Sequence, residues 1–419
     1  MNGVISNFII NKIQINDFEL TPQHVTEIQI FEGLTIPAIT GKMYIADREA
    51  LLELHEVFAG DVVEFQFVSK ADRTETFKYR GVISSAGGSV SHDHTFPVTI
   101  FEFCDEWWFN AITMQVSRAY KNVIWEEIVD DLITICGGNF VWPNHASTNR
   151  IERYVTPYWT PAHTIKEVLS WASVKAHNNF ILHRNLILDT HVYCETLDDF
   201  IVGIRGVHKS DLLMGSPNIH YEGNLNTVYL ESYYDSLRHI NQGVYKTDFV
   251  AFDYDHSTVY KSSNSVENID RYHLAAHMPM NKAHTSDNYT SQSIVNPYFN
   301  QQKRQTVKEI RNRVDNLRDI NYGNLFTDMI KFNMMAPGAS DRMAGQLAML
   351  RFPSINSKSE QEMVKHKALE GLYLIRNICH IIKPNSYNQA LTLVRDGFET
   401  MDRTDLVQWK KKTTLDGDV

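Results

Sequence analysis

The sequence lacks an excess of basic residues, and this argues against one class of protein. Fifty acidic residues against 40 basic ones give the 419-residue chain a formal net charge of −10. A dedicated nucleic-acid binder needs a basic footprint, because it must neutralise phosphates. Lys410-Lys411-Lys412 is a local basic patch, which we interpret as a solvated tail. No sequence-specific contact with nucleic acid is therefore expected.

Cysteine is scarce as well. The four cysteines, Cys104, Cys136, Cys194 and Cys379, stand far apart and form no CxxC pair. Neither a disulfide framework nor a zinc knuckle is therefore expected. We expect all four to be small buried side chains in a reducing compartment.

Long apolar runs are also missing. No stretch approaches the ~18 apolar residues that span a bilayer, and Arg376 and His380 interrupt the apolar segment 372–382. The first residues, MNGVISNFIINKIQI, lack the basic start of a secretory signal. We expect a protein without a membrane span that folds in a cytoplasm.

The common motifs of enzyme chemistry are absent from the sequence. There is no GxSxG, Walker A or GxGxxG pattern, and Gly87-Gly88 is interpreted as a turn without a phosphate-binding lysine. The adjacent acids Asp130-Asp131 and Asp198-Asp199 diverge on a regular element. We interpret both as solvated surface pairs rather than as the paired acids of a glycosidase.

Two histidine pairs have spacings that metal sites also use. His273 and His277 stand at i and i+4, but the glutamate of an HExxH zinc site is missing. His92 and His94 alternate as in a polar hairpin loop. We predict no catalytic, cofactor-binding or metal-binding residue, and no cofactor.

Residues 1–105 have the pattern of β-strands. Alternating and β-branched runs predict strands at 13–15, 27–31, 62–67 and 98–101. A helix is predicted over 47–60, with Asp47 as its cap and Gly60 at its end. The layout indicates a β-barrel or a small sandwich.

Residues 106–199 change to helical periodicity. The first helix has one apolar stripe, made of Ile124, Ile128, Leu132 and Ile135. It ends at Gly137-Gly138. A second helix is predicted to begin at the capping-box spacing Thr164 to Glu167, and residues 180–188 predict a hairpin that turns at Arg184-Asn185.

Six of the seven tryptophans lie in or beside this segment. They are Trp107, Trp108, Trp125, Trp142, Trp159 and Trp171. We favour an aromatic core for the segment, and a sugar-stacking surface is the alternative.

The remaining chain is again rich in strands. Residues 227–230 and 248–252 predict short strands, and the polar segment 256–302 predicts a loop-rich excursion. A helix with an apolar stripe is predicted over 303–320. The predicted closing strands are 325–331, 347–352, 372–382 and 390–395, with a turn at 383–386.

Three stretches taken in order resemble the central hub family of contractile-tailed phage baseplates, which the T-even phages typify. The first joins 28–47, with Gly41 opening a strand, to Gly60-Asp61 and its strand. The second runs from Gly243 to Asp255. The third comprises 303–320, a strand pair over 335–354, and 371–393. The resemblance covers both ends of the chain well and the middle loosely.

The resemblance implies an α+β, mainly β protein in which two tube-like β-barrel modules are interrupted by α+β inserts. The expected divisions are a first barrel at 1–105, an insert at 106–199, a second barrel at 200–255 and 325–400, a second insert at 256–324, and a tail at 401–419. In that family three chains form a ring of six barrels, which joins a three-fold spike to a six-fold tube.

The partners that the resemblance implies are those of a tail baseplate. They are a second and third copy of the chain in a homotrimer, a tail spike protein on a separate polypeptide, a tail tube protein, baseplate wedge proteins and, as a further candidate, the tape measure protein. The expected location is the virion tail, assembled in the host cytoplasm. As a hypothesis, the acidic balance keeps DNA from adhering inside the central channel.

Two other functions stay open at this point. A tail-associated glycan-binding or peptidoglycan-degrading protein would use the aromatic insert, and activity on purified peptidoglycan would favour it. The hub of a related contractile injection system would have the same architecture.

Overall fold

A computed structural model gives the fold of the chain. The residues that it describes are 8–21, 24–46, 56–69, 76–89, 98–144, 150–172, 179–188, 190–209, 211–214, 224–225, 227–232, 246–253, 258–265, 291–295, 323, 329–351, 369–384 and 386–397.

Strands dominate the described residues, which contain 22 strands and four helices. The strands are β1 (Phe8–Ile15), β2 (Phe18–Leu20), β3 (Val25–Gly33), β4 (Thr40–Ala46), β5 (Val62–Ser69), β6 (Thr76–Ser89), β7 (Val98–Cys104), β8 (Val116–Val123), β9 (Asn139–Val141), β10 (Ile151–Trp159), β11 (Phe180–His183), β12 (His191–Thr196), β13 (Leu212–Met214), β14 (Asn224–Leu225), β15 (Thr227–Ser232), β16 (Lys246–Asp253), β17 (Thr258–Ser265), β18 (Ser291–Val295), β19 (Ile330–Pro337), β20 (Leu347–Arg351), β21 (Gly371–Lys383) and β22 (Ser386–Arg395). The helices are α1 (Glu106–Thr113), α2 (Trp125–Ile135), α3 (Pro161–Trp171) and α4 (Leu197–Ile201). The expectation of a mainly β protein with α+β parts is confirmed.

One sheet of 14 strands forms most of the fold. Its hydrogen-bonded order runs β2-β1-β5-β6-β7-β4-β3-β21-β22-β19-β15, while β20, β13 and β14 continue from β21. In β4 and β19 every second residue is buried. This alternation gives the sheet one face on a core and one exposed face, as antiparallel sheets permit.

The strand β21 joins the two halves of this sheet. Residues 371–374 pair with β20, whereas residues 377–382 pair with β3 at the same edge of β21. The other edge pairs with β22 along almost its whole length. Because one hairpin serves both halves, neither half can be completed without it.

Two apolar cores lie under the two halves, and the hairpin of β21 and β22 contributes to both. The tip residues Ile382 and Tyr387 pack into the first core with the aromatic side chains of β5, β6 and β7. Leu374, Leu391 and Leu393 lie in the second core with α4 and β19. The hairpin therefore couples the folding of the two halves.

A third core belongs to the helical part, as the periodicity predicted. α2 buries one face and ends before Gly137, whose φ of +88° suits glycine. The predicted start of α3 is wrong by four residues. Its cap is Thr160, whose hydroxyl accepts from the backbone N–H of His163, because Pro161 fits the first helical position.

Two predicted hairpins are not formed, because their strands pair with other strands in the structure. Residues 186–188 form a turn, and the partner of β11 is β12, which begins at His191. The strands β19 and β20, expected to pair as a hairpin over 335–354, pair instead with β22 and β21. In both cases the intervening residues are held by buried polar contacts with other parts of the chain.

Three short segments differ from their interpretation. Gly87-Gly88 lies within β6 and pairs with β7. Asp198-Asp199 is buried at the start of α4, where the Asp199 carboxylate accepts from the Thr196 backbone N–H at 2.9 Å and closes a capping box. Asp131 is bonded to Arg118 at 2.8 Å, so it is not a freely solvated acid.

The segment expected to be loop-rich contains strands among its described residues. β16, β17 and β18 form a three-stranded sheet of their own, apart from the large sheet. β16 was expected in the second barrel, and its hydrogen-bonded partners do not place it there.

Several predicted features lie largely or wholly outside the described residues. They are the helices at 47–60 and 303–320, the stretch 243–245, both histidine pairs and the lysines at 410–412.

Three segments of the chain meet at the buried carboxylate of Glu32 on β3. Its side chain is fully buried, and its two oxygens accept backbone N–H groups from Leu186 at 2.8 Å and Ala344 at 2.7 Å. Leu186 belongs to the helical part and Ala344 to the second half of the sheet. A single side chain therefore ties together three segments that are far apart in sequence.

A second contact completes this junction at Ala344. The Asn185 side-chain amide donates to the Ala344 carbonyl at 2.8 Å, so both backbone groups of Ala344 are bonded to other segments. Gly345 follows with a φ of +88°, and a Cβ there would come within 2.8 Å of the Phe200 ring. Glycine is thus required where the chain leaves the junction.

Replacing Glu32 by Gln tests the junction. The amide retains one acceptor oxygen but presents an NH₂ group to the second backbone donor, so a charge-assisted hydrogen bond is lost. We expect Glu32→Gln to cost about 2 kcal/mol and to lower the thermal unfolding midpoint. Glu19→Gln, at an exposed position, is the matched control. Equal midpoints for the two variants would contradict the proposed role of Glu32.

Candidate functional site

The exposed side of the large sheet forms one surface that crosses both halves. We call it the sheet face, and it consists of the outward side chains of β7, β4, β3, β21, β22, β19 and β15. These strands are consecutive neighbours, so their outward residues align in rows. One row is formed by Tyr229, Asn333, Thr392, Asn377 and Gly33.

Uncharged polar groups on this face bond to one another across strands. The Thr392 hydroxyl donates to the Asn333 side-chain oxygen at 3.0 Å, and the Thr35 hydroxyl donates to the Asn377 oxygen at 3.4 Å. Such pairs satisfy polar groups locally, so the face offers few unpaired donors to a passing molecule.

Three lysines on the sheet face each pair with a glutamate of a neighbouring strand or of the adjacent hairpin tip. The pairs are Lys42–Glu102 at 2.7 Å, Lys383–Glu27 at 3.2 Å and Lys331–Glu231 at 2.7 Å. Exposed pairs of this kind add little stability, at most about 1 kcal/mol each. Their main effect is that these six charges cancel.

The pKa shifts agree with this pairing. The hydrogen bond from Lys42 lowers the pKa of Glu102, and the Ser85 hydroxyl at 2.8 Å lowers it further. The hydrogen bond from Lys331 lowers the pKa of Glu231, with a further contribution from Asn333. Both carboxylates are therefore held in the charged state that neutralises their lysines.

An open groove of about 570 Å³ lies at the middle of the sheet face, where β3, β21, β22 and β19 run side by side. Small residues such as Gly33 and Ala390 line it, and Phe31, Ile36 and Tyr229 stand at its sides. Cys379 also lines it, so it is half-buried rather than buried as expected. The other three cysteines are buried and unpaired, as predicted.

The buried histidine cluster of the helical part has the components of an acid–base site but lacks access. His183 lies 2.9 Å from both the Asn185 oxygen and the Glu195 carboxylate, and Arg205 pairs with Glu195 at 2.7 Å. His183 is fully buried, so no substrate can reach its ring. We interpret the cluster as structural support for the junction at Ala344.

The tryptophans divide between a core and a surface. Trp107 and Trp125 are buried in the third core, and Trp108 and Trp171 pack against it, so the aromatic core is confirmed for these four. Trp142 and Trp159 are exposed. Within the described ranges, no group of three or more histidine, cysteine or acidic side chains is placed to hold a metal ion.

The sequence alone did not identify the charges of the sheet face. Lys42, Glu102 and Glu27 stand at alternate positions to apolar residues in β4, β7 and β3, and this alternation marks them as outward. Their pairing depends on strand neighbours that are distant in sequence. No helix in the described part of the chain is long and apolar enough to cross a membrane.

Comparison with known proteins places this fold among tail proteins. No family model matches the sequence, and no curated protein sequence matches it either. Solved structures of other proteins do match the fold of this chain. The 43 kDa tail protein of prophage MuSo2 from Shewanella oneidensis is 12% identical, with 94% of this chain and 100% of that chain covered and a TM-score of 0.56. A tail protein from Neisseria meningitidis MC58 is 10% identical, with 93% and 97% covered and a TM-score of 0.55.

A chain of the Francisella PdpA-VgrG complex is also similar. It is 9% identical with a TM-score of 0.50, and the alignment covers 95% of this chain but 59% of that one. At sequence identities of 9% to 12%, the likeness establishes the fold alone. The chain thus has the fold of tail proteins over nearly its whole length, and the resemblance to phage tail components inferred from its sequence is confirmed at that level.

The thiol of Cys379 provides a chemical test of the sheet face. Burial raises its pKa to about 12, and the negative charge of Glu27 raises it further. At pH 8 the thiol is then almost entirely protonated, so alkylation by iodoacetamide is expected to be slow in the folded chain and fast in urea. Peptide mass spectrometry locates the modified residue. Rapid alkylation of native Cys379 would contradict this placement.

Proposed function

We propose that the chain is the central hub of a contractile-tail baseplate, a structural and non-enzymatic part of the virion tail that is assembled in the host cytoplasm. The observation that carries the proposal is the single sheet shared by two cores through the hairpin of β21 and β22. Two sheet halves in one chain are what a hub needs when three copies must offer six equivalent positions.

The strand pairings support two tube-type modules. In the second half, β14 pairs with β13, while β15, which begins after one intervening residue, pairs with β19. The path from β13 through β20, β21, β22 and β19 therefore returns to nearly its starting point, as in a small barrel. In the first half, β1 to β7 enclose their core together with the hairpin tip.

The division of the chain follows from these modules. We assign the first module to 1–105 and the second to parts of 200–255 and 325–400, with 106–199 and 256–324 as inserts and 401–419 as a tail. The separate sheet of β16, β17 and β18 argues that the second insert begins before residue 256. The inserts are then the parts available to wedge proteins, while the modules form the ring.

Three copies would form a closed ring of heterologous contacts. Its three-fold symmetry suits a trimeric tail spike, and its six modules suit the six-fold tail tube. Partners in this arrangement are the chain itself, the spike protein, the tube protein and wedge proteins, with the tape measure protein as a further candidate. The likeness to two tail proteins over their full length supports this arrangement.

The sheet face is our candidate for the lining of the channel. The net charge of −10 suggested an acidic lining, but the three lysine–glutamate pairs on this face cancel. A self-paired polar surface serves DNA passage equally well, because its three lysines are each paired with a glutamate and these six charges cancel.

The hub of a related contractile injection system is a second candidate, which the likeness to a VgrG-complex chain favours. Both candidates use the same ring. They are distinguished by the particle from which the protein is recovered, either a DNA-ejecting virion or an injection apparatus without DNA.

Solution mass tests the ring. Three 48.3 kDa chains give about 145 kDa, and we expect mass photometry of the purified protein to show this species. Addition of the spike protein is the companion measurement, since spike contacts strengthen a ring of weak self-association. A chain that stays monomeric with and without the spike would overturn the proposal.

The DNA-passage role generates a separate test on the sheet face. The triple variant Glu27→Gln, Glu102→Gln and Glu231→Gln leaves three lysines without their partners. We expect the original chain to show no binding to duplex DNA at physiological ionic strength, and the variant to bind with an affinity that falls steeply with salt. The control is Glu19→Gln with Glu106→Gln and Glu56→Gln, three exposed acids away from this face. Equal DNA binding by both triple variants would rule out a special role for the face.

A further inference from the structure

The two-stranded ribbon of β8 and β10 has one anchored side and one free side. On the inner side Tyr154 and Thr156 are buried, and Tyr154 packs against Trp171 at 5.9 Å between ring centroids. Arg118 and Tyr120 both bond to Asp131 on α2, at 2.8 Å each. The inner cation is thus neutralised, and the ribbon is held in a fixed orientation on the helices.

The outer side carries a pair of like charges that is not compensated. Arg153 and Lys121 stand directly opposite each other in the strand register, and both are exposed. Among the described residues no carboxylate pairs with either of them. Side chains in this position lie about 5 Å apart at Cβ, and like charges there destabilise a sheet. An anion bound between them would remove that cost.

Apolar side chains flank this pair. Val155, paired with Ala119, lies two residues along and is 47% exposed, and Tyr158 is 66% exposed. Tyr158 also has a φ of +56°, which is rare for a bulky residue and arises at an irregularity in the pairing between Thr156 and Trp159. The Tyr158 ring is therefore exposed on the same strand, five residues beyond Arg153.

The ribbon also has open edges. In the described part of the chain, β8 and β10 pair with each other and with no other strand. Their outer backbone N–H and C=O groups can be satisfied by an added strand. Cations that alternate with apolar residues at a two-residue spacing match an extended segment whose acids and apolar residues alternate in the same way.

We propose that the outer side of the β8–β10 ribbon is a docking surface for an acidic, extended segment of a partner protein. A carboxylate of that segment lies between Lys121 and Arg153, and its apolar residues cover Val155 and Tyr158. A protein strand fits better than nucleic acid, because two cations in a chain of net charge −10 form too small a basic footprint. The assignment depends on the ribbon alone and stands whether or not the chain forms a trimeric ring.

The test uses the full chain and a labelled synthetic peptide of about ten residues in which glutamate and valine alternate. Fluorescence anisotropy should show binding, with weaker binding of the peptide that has glutamine in place of glutamate. The double variant Lys121→Ala, Arg153→Ala should weaken binding about tenfold. Lys383→Ala with Lys42→Ala, which removes two exposed cations of the sheet face, is the matched control and should leave binding unchanged.

A single charge reversal separates docking from a structural role. Lys121→Glu creates an opposite-charge pair with Arg153, so the thermal midpoint should rise while peptide binding falls below that of the double alanine variant. A rise in binding or a fall in stability would overturn the proposal. So would no peptide binding by the original chain, equal binding of a proline-interrupted peptide, or preferential binding of heparin, duplex DNA or phosphatidylserine vesicles through the same two residues.

Discussion

The fold depends on one buried carboxylate. Glu32 is removed from water where three segments of the chain meet; an unpaired charge there would be costly, and two backbone N–H groups compensate it. These donors come from residues 154 and 312 positions away in the chain. The first half, the second half and the helical part must therefore all be in place before this charge is stabilised, which makes their assembly mutually dependent.

The shared hairpin of β21 and β22 extends this dependence to the outer surface. Because its tip packs in one core and its base in the other, the two halves keep a constant relative orientation. Their exposed sides then form one continuous sheet face rather than two separate ones. The proposal that this face lines a passage requires that continuity, since a gap between halves would expose unpaired strand edges.

The sequence predicted elements well and long-range contacts poorly. Alternation located β3, β5, β7 and β20 to β22, and the apolar stripe located α2, because these patterns are local. The pairing of β19 and β20 was wrong because nearness in sequence favours a hairpin, whereas the buried contacts around Ala344 carry the chain across to other strands. Glu32 belongs to a stretch that carries the family resemblance, but its burial was not predicted, because a buried acid is identified by its partners.

The exposed cations of the chain occur in two different arrangements, and the difference bears on the proposed functions. On the sheet face each lysine has a glutamate within about 3 Å, a distance that neutralises charge without adding much stability. On the ribbon Lys121 and Arg153 face each other, while the nearby acid Asp131 is bonded to the inner Arg118. Sheet stability alone would favour an acid at one of the two outer positions. Paired charges suit the sheet face, which is proposed to let DNA pass. A pair of cations that no described carboxylate neutralises suits the ribbon, which is proposed to hold a partner.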